Sequence, residues 1–262
     1  MKKTMQQIKI PAKVNLSLEI IGVKGGLHTL KMETMAVDLY DEVCFEKTDA
    51  GKVDFAFGDT FDGFDENRFR PIIERVIDKF QANYGSVSGT LTIHKNVVLG
   101  AGIGGSSSAV VGVVKALEKL QNTRVDIRFL LSLGSDIPVV YEGGRNLVEG
   151  IGDIVTPLEF EQKYFVILVD GTVDSGKAYA LFDEIGSERY GKRENHLEKS
   201  ARQLNNGVKK AREILENAGS TDVVMSGSGS AMVAVFDNED EAKIVFDKIE
   251  GCTKYLTKSV KK

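Results

Sequence analysis

Alternation of polar and apolar positions runs through the first sixty residues and returns just before residue 100. Ile8 to Ile10, Leu16 to Ile21, Lys31 to Leu39, Glu42 to Thr48, Val53 to Phe57 and Thr90 to His94 carry the period of half-buried strands, with turn signals at Gly25-Gly26 and Asp49-Ala50-Gly51. Two other stretches keep a longer period. Ile72, Ile73, Val76, Ile77 and Phe80 within 66–84, and Val110, Val113, Val114 and Leu117 within 109–120, recur at the spacing of one helix face. Val125 to Leu133 predicts a third helix, and Asn146 to Glu149 and Ile154 to Leu158 predict two further strands.

After Glu159-Phe160-Glu161-Gln162 the pattern restarts with the apolar strand Tyr164 to Val169. Lys177 to Glu184 and Glu194 to Ala218 predict helices, the second closed by Gly219 as a C-cap. Val223 to Met225, Ala231 to Phe236 and Lys254 to Lys258 read as strands around a helix over Glu239 to Ile249. Strands and helices do not alternate as in βαβ units, so the expected class is α+β, in two closely packed parts, 1–159 and 160–262. No internal repeat or low-complexity tract interrupts them.

Composition narrows the function classes. A chain of 262 residues with 42% hydrophobic and 27% charged residues is that of an ordinary soluble globular protein. A net charge of −4 provides no broad basic surface, which argues against nucleic-acid or anionic-membrane partners. Met1-Lys2-Lys3 leads into polar Thr4, Gln6 and Gln7 rather than an apolar targeting core, and no stretch reaches membrane-spanning length, so a cytoplasmic protein is expected. Cys44 and Cys252, and the three histidines, lack metal-binding spacing, which predicts neither a structural disulfide nor a zinc site. His94 and His196 read as surface or strand-end residues, and His28 as a turn residue.

The densest chemical signal is Leu99-Gly100-Ala101-Gly102-Ile103-Gly104-Gly105-Ser106-Ser107-Ser108-Ala109, between a predicted strand and a predicted helix. At a helix N-terminus unpaired amides and the positive end of the dipole attract anions, and glycine lets the backbone approach a phosphate. The Walker A pattern is absent, because Gly105 is followed by Ser106 rather than lysine. Gly100, Gly102 and Gly105 fit the dinucleotide fingerprint, but the following Val125 to Leu133 is helical where a Rossmann unit needs a strand, so NAD binding is not expected. A tightened turn is the plainer reading of a lone Gly-rich segment; the density of glycine and serine at a helix start favours phosphate binding.

Three shorter segments accompany this loop: Pro11-Ala12-Lys13-Val14-Asn15-Leu16, Gly134-Ser135-Asp136-Ile137-Pro138 and Met225-Ser226-Gly227-Ser228-Gly229-Ser230. Taken alone they read as an exposed lysine, a helix-capping aspartate and a tight turn. Together, and in this order with the Gly-rich loop, they resemble the GHMP kinases, named for galactokinase, homoserine kinase, mevalonate kinase and phosphomevalonate kinase. The resemblance implies a β-rich N-terminal ATP-binding domain like domain 2 of ribosomal protein S5, a C-terminal α/β sandwich, and ATP with Mg²⁺. Asp136 then matches the catalytic aspartate and Lys13 the lysine that holds it. Gly100, Gly102, Gly104, Gly105, Ser106, Ser107 and Ser108 match the ATP-phosphate loop, with Ser107 at Mg²⁺, Gly227 and Ser228 turned towards the phosphates and Asn67 on the adenine side.

Further residues, Gly26-Leu27-His28, Val37 to Asp41, Lys95, Gly143-Gly144, Gly150, Gly152-Asp153, Pro157-Leu158 and Asn195 to Glu198, are similar to the branch that phosphorylates the 2-hydroxyl of a diphosphocytidyl methylerythritol in non-mevalonate isoprenoid synthesis. That branch implies a small-molecule acceptor met by Asn15, His28, Lys95 and Tyr179, in a monomer or homodimer. The chain departs from it at Leu27, where an aromatic ring is expected to stack on cytosine, and at Val98, Ser106, Ala109 and His196. Base stacking contributes about 1–3 kcal/mol, so its loss predicts roughly five- to a hundred-fold weaker binding or a different acceptor. A kinase for another small alcohol, and a nucleotide-binding paralogue with little catalysis, stay open at this point.

Overall fold

The computed structural model describes residues 5–262; the expectation resting on Met1 to Thr4 lies outside them. The first sheet is built around one long strand. β1 (Gln6–Asn15), β2 (Glu19–Lys24), β3 (Leu27–Lys47), β4 (Val53–Thr60), β5 (Gly89–Lys95), β6 (Arg145–Gly150) and β7 (Ile154–Pro157) form it in the order β4-β5-β3-β6-β7, with β1 and β2 also paired to β3. Only β4 and β5 run parallel. The two strands expected over 31–48 are thus one, because β1 shifts register between Pro11 and Ala12, opposite Tyr40 and Val37, and the bulge keeps β3 extended through its polar interruption. The strand expected over 16–21 starts only at Glu19.

Helices α1 (Glu66–Tyr84), α2 (Gly105–Gln121), α3 (Ile127–Leu133) and α4 (Ile137–Glu142) belong with this sheet. α1 opens on Asp65, whose carboxylate accepts from the Arg68 amide, and it buries Phe69, Ile73, Val76, Ile77 and Phe80, the predicted stripe with Phe69 added and Ile72 left outside. α2 begins at Gly105, four residues before the periodic segment, so the three serines form its first turn. α4 is a single short helix beginning after Asp136, which stands at the N-cap position that the sequence suggested for it.

β8 (Tyr164–Val169), β9 (Val223–Met225), β10 (Met232–Phe236) and β11 (Thr253–Lys258) form a second, antiparallel sheet, ordered β11-β8-β10-β9, with α5 (Ser175–Ile185), α6 (Glu198–Leu204), α7 (Asn206–Asn217) and α8 (Glu239–Lys248). The single helix expected over 194–218 is a turn and two helices. Asn205 divides them: its backbone is extended, its Oδ1 accepts from the Gly207 amide at 2.8 Å and its Nδ2 donates to the Asp170 carbonyl at 2.8 Å. An asparagine side chain competing for backbone groups breaks a periodic run that hydrophobicity alone would continue.

A buried cluster joins the two sheets: Ala12, Val14, Met35 and Val37 of the first pack with Phe165, Ile167, Val224 and Val233 of the second. Ala101 and Ile103 of the Gly-rich loop insert into the same cluster. Their alternation with glycine fastens the loop to the interior. No helix among the described residues is long and apolar enough to cross a membrane.

Candidate active site

The Gly-rich loop is bonded to both halves. Its Ile103 carbonyl accepts from the Lys13 amide at 3.0 Å, and its Ala101 carbonyl from the Ala231 amide at 2.9 Å. Ser226 joins them, its Oγ donating to the Gly102 carbonyl at 2.9 Å and accepting from the Asn15 amide at 3.0 Å. The approach is too close for a side chain: a Cβ on Gly102 would lie 2.1 Å from the Ser226 carbonyl oxygen, and one on Gly105 would lie 2.0 Å from that of Val98. Gly104 occupies the N-cap of α2 in the left-handed region with no side-chain cap, so the amides of Gly105, Ser106 and Ser107 open a 17-residue helix towards an incoming anion.

Lys13 and Asp136 come together beside this loop. Lys13 Nζ lies 3.3 Å from Asp136 Oδ2, with the lysine side chain 5% exposed and the aspartate 39%. Asp136 stands at the N-cap of α4, yet its carboxylate makes no capping bond and stays free for the lysine. The expectation of an exposed lysine is corrected by the same geometry: β1 carries Lys13 beneath the loop, where a Cβ on Gly104 would lie 3.1 Å from Lys13 Cγ. Asn15, two residues along and fully buried, accepts from Lys13 Nζ at 2.6 Å and fixes the ammonium's direction. A partly exposed carboxylate held by a buried cation can receive a hydroxyl proton or orient the hydroxyl, while the cation offsets negative charge developing on transferred oxygens.

A cavity of about 110 Å³ opens onto this pair, lined also by Asn15, Tyr179, Gly227 and Ser228. Burial, and then the Asp136 carboxylate, push the Tyr179 phenol well above its ordinary range. His28 stacks on Tyr179 with ring centroids 4.9 Å apart and an interplanar angle of 23°. Its Nε2 lies 2.7 Å from Asp183 Oδ1, which brings the β2–β3 hairpin across to α5. Leu27, beside it, is exposed. Ser175 Oγ and Ser228 Oγ are 2.6 Å apart, and Ser175 also lines a larger cleft of about 560 Å³. That cleft has an apolar side, with Phe61, Phe69, Ile72 and Leu99, and reaches Gly100 and Ser106 of the loop. A planar base and a phosphate chain fit such a pairing of surfaces.

Other expected residues lie elsewhere. Lys95 is a correction: it is fully buried, with Nζ 2.8 Å from Asp41 Oδ2, and faces neither cavity. Ser108 is another, since its hydroxyl is buried and donates to Asp41 rather than turning to a phosphate. Asn67 is exposed in the first turn of α1, between Asp65 and Arg68, which line the larger cleft without it. Ser107 is half-buried near the start of α2, and no group of three or more acidic, histidine or cysteine side chains among the described residues is arranged to hold a metal. His94 accepts from the Asp59 amide and His196 from the Ile20 amide, both as structural partners.

Sequence reasoning passed over Asp41, Asn195 and Ser226 as site residues. Asn195 donates to the carbonyls of Met225 and Gly227, both at 2.8 Å, and so shapes the second Gly/Ser loop. Asp41 did leave a signal, an acid in phase with the inward Val43 and Phe45 of its strand.

Comparison with known proteins accords with this geometry. Sequence models for the GHMP kinases N terminal domain and the GHMP kinases C terminal match residues 71–157 and 178–253. The 4-diphosphocytidyl-2-C-methyl-D-erythritol kinase of Clostridium perfringens is 28% identical over 276 residues, covering 95% of each chain. Its namesake in Clostridium kluyveri is 29% identical over 275 residues, covering 95% of this chain and 96% of that one. Among solved structures, a crystal structure of 4-(cytidine 5'-diphospho)-2C-methyl-D-erythritol kinase superposes with a TM-score of 0.74 at 22% identity, covering 97% of this chain and all (100%) of that one. A homoserine kinase from Cytophaga hutchinsonii reaches 0.69 at 18% identity, covering 99% and 96%. With both of its domains matched and the fold shared from end to end, the chain belongs to the GHMP kinases.

Proposed function

We propose that the chain is an ATP-dependent kinase that phosphorylates the 2-hydroxyl of 4-diphosphocytidyl-2-C-methyl-D-erythritol. The observation that carries the kinase reading is the Lys13–Asp136 pair, 3.3 Å apart at the end of a loop whose amides are left without a side-chain cap. Relatives of that name at 28–29% identity over 95% of the chain support the acceptor.

The larger cleft suits the adenosine, and the amides of Gly105 to Ser107 suit the phosphates, which Gly227 and Ser228 approach from the other half. Mg²⁺, held by those phosphates and the Ser107 hydroxyl, would neutralise charge between the β- and γ-phosphoryl groups. The acceptor hydroxyl attacks the γ-phosphorus, a new O–P bond forms as the bond to the β-phosphate bridging oxygen breaks, ADP departs, and the hydroxyl proton passes to Asp136. Phosphoryl transfer has a loose transition state, so the main work of Lys13, Asn15 and Asp136 is alignment and charge stabilisation. Tyr179 and His28 would meet the cytidine side of the acceptor. A GHMP kinase for a different alcohol is the second reading, favoured by Leu27, which presents no ring.

The test is ADP release by the purified chain with Mg²⁺-ATP, with and without this acceptor. Acceptor-dependent turnover that falls about 10²-fold or more in Lys13→Ala and Asp136→Ala is the expected result. Turnover with another alcohol alone would replace the acceptor, and unimpaired variants would remove the assigned pair.

A further inference from the structure

Beneath the phosphate loop lies a charge pair that faces neither cavity. Asp41 of β3 and Lys95, the last residue of β5, are both fully buried, with Nζ 2.8 Å from Oδ2. Asp41 Oδ1 accepts from the amides of Asn96 at 2.8 Å and Val97 at 2.9 Å. Its Oδ2 accepts from the Ser108 hydroxyl as well, and Lys95 Nζ donates to the Val97 carbonyl. One carboxylate therefore gathers four donors from three places: the last residue of β5, the chain leaving it at 96–97, and the first turn of α2.

Those last two places are the two ends of the Gly-rich loop. A buried ion pair is a weak source of stability, because desolvating both charges offsets their attraction; burial indeed holds the Lys95 ammonium below its ordinary range, with Asp41 opposing that effect. What such a pair does supply is fixed geometry, since a carboxylate with every lone pair engaged cannot move without stranding a donor. Ser226 already holds the middle of the loop at Gly102. The ends are left to Asp41.

We propose that Asp41 is a positioning residue for nucleotide binding: with Lys95 and Ser108 it sets the separation of the two ends of the loop, so that the amides of Gly105, Ser106 and Ser107 converge before ATP arrives. It acts through the backbone and touches neither nucleotide nor acceptor. A loop ordered in advance loses less conformational freedom on binding, so the device acts on affinity for ATP and ADP rather than on the chemical step. The inference rests on the kinase reading but not on which alcohol is phosphorylated.

Calorimetric titration of ATP and ADP into the full chain, without acceptor, tests it. Ser108→Ala removes one of four donors and spares the ion pair; its dissociation constants for both nucleotides are expected to rise about three- to thirtyfold. In turnover, KM for ATP rises by the same factor while the KM of the acceptor stays put. Asp41→Asn, which turns an amide NH₂ towards Lys95 and Ser108, weakens binding further. Phe80→Leu, in the α1 core, serves as the stability control and lowers Tm without changing nucleotide affinity. Unchanged affinity in folded Ser108→Ala would overturn the proposal, as would an equal loss in Phe80→Leu at matched Tm. Should Asp41→Asn fail to fold, Ser108→Ala decides. An unsubstituted chain that binds no ATP would sink the kinase reading and this inference together, whereas ATP binding that ignores Ser108→Ala sinks this inference alone.

Discussion

At the scale of single residues, identity and role separate in several places. Lys13 and Lys95 are both buried cations with an aspartate partner, yet only Lys13 lines a cavity, and its partner Asp136 is partly open while Asp41 is sealed. Openness on one side suits the first pair to a substrate and the second to fastening. Tyr179 lies between those cases, its phenol pushed up by burial while it still lines the cavity beside Asp136. The 4.9 Å spacing of His28 and Tyr179 leaves no room for a third ring between them, so a pyrimidine base that stacks on that face of Tyr179 must displace the imidazole from it. Tyr179→Ala should raise the acceptor KM about five- to a hundredfold and leave the KM for ATP unchanged. Equal changes in both constants, read from steady-state kinetics, would contradict that division of labour.

At the scale of elements, the Gly-rich segment is an anchored strand-to-helix connection and not a flexible flap. Ala101 and Ile103 are in the inter-sheet core, and Gly102 between them and Gly105 after them lie against backbone. Gly102→Ala forces a Cβ to 2.1 Å from the Ser226 carbonyl oxygen in a backbone conformation that favours glycine, at φ +80°. It should cost about 1–3 kcal/mol of stability and weaken ATP binding, whereas Gly251→Ala, also at positive φ but with open space around its Cβ and away from both cavities, should leave ATP affinity intact. Denaturant melts paired with calorimetry separate the two effects. Element boundaries follow the same logic. The serine turn of α2 has no hydrophobic periodicity to announce it, and Asn205 ends α6 by a side-chain bond that no hydrophobic pattern encodes.

At the scale of the whole molecule, the two sheets share a core, and the candidate site lies where they meet, with Lys13 and Asp136 from one half and Tyr179, Gly227 and Ser228 from the other. Such a shared core predicts one calorimetric unfolding transition for both halves, and two well-separated transitions would show that they unfold independently. The sequence by itself determined the α+β class, the helix faces of α1 and α2, the place of the Gly-rich loop at a helix start and the order of the motifs, because periodicity, glycine content and helix-start chemistry are local properties. Tertiary structure alone decided that Asp136 leaves its helix uncapped to meet Lys13, that Lys95 and Ser108 turn inward to Asp41, and that Ser226 crosses between the halves. Each of these depends on strands brought together from distant parts of the chain, where burial and hydrogen-bond supply select a side chain's partner, and no local pattern records that competition.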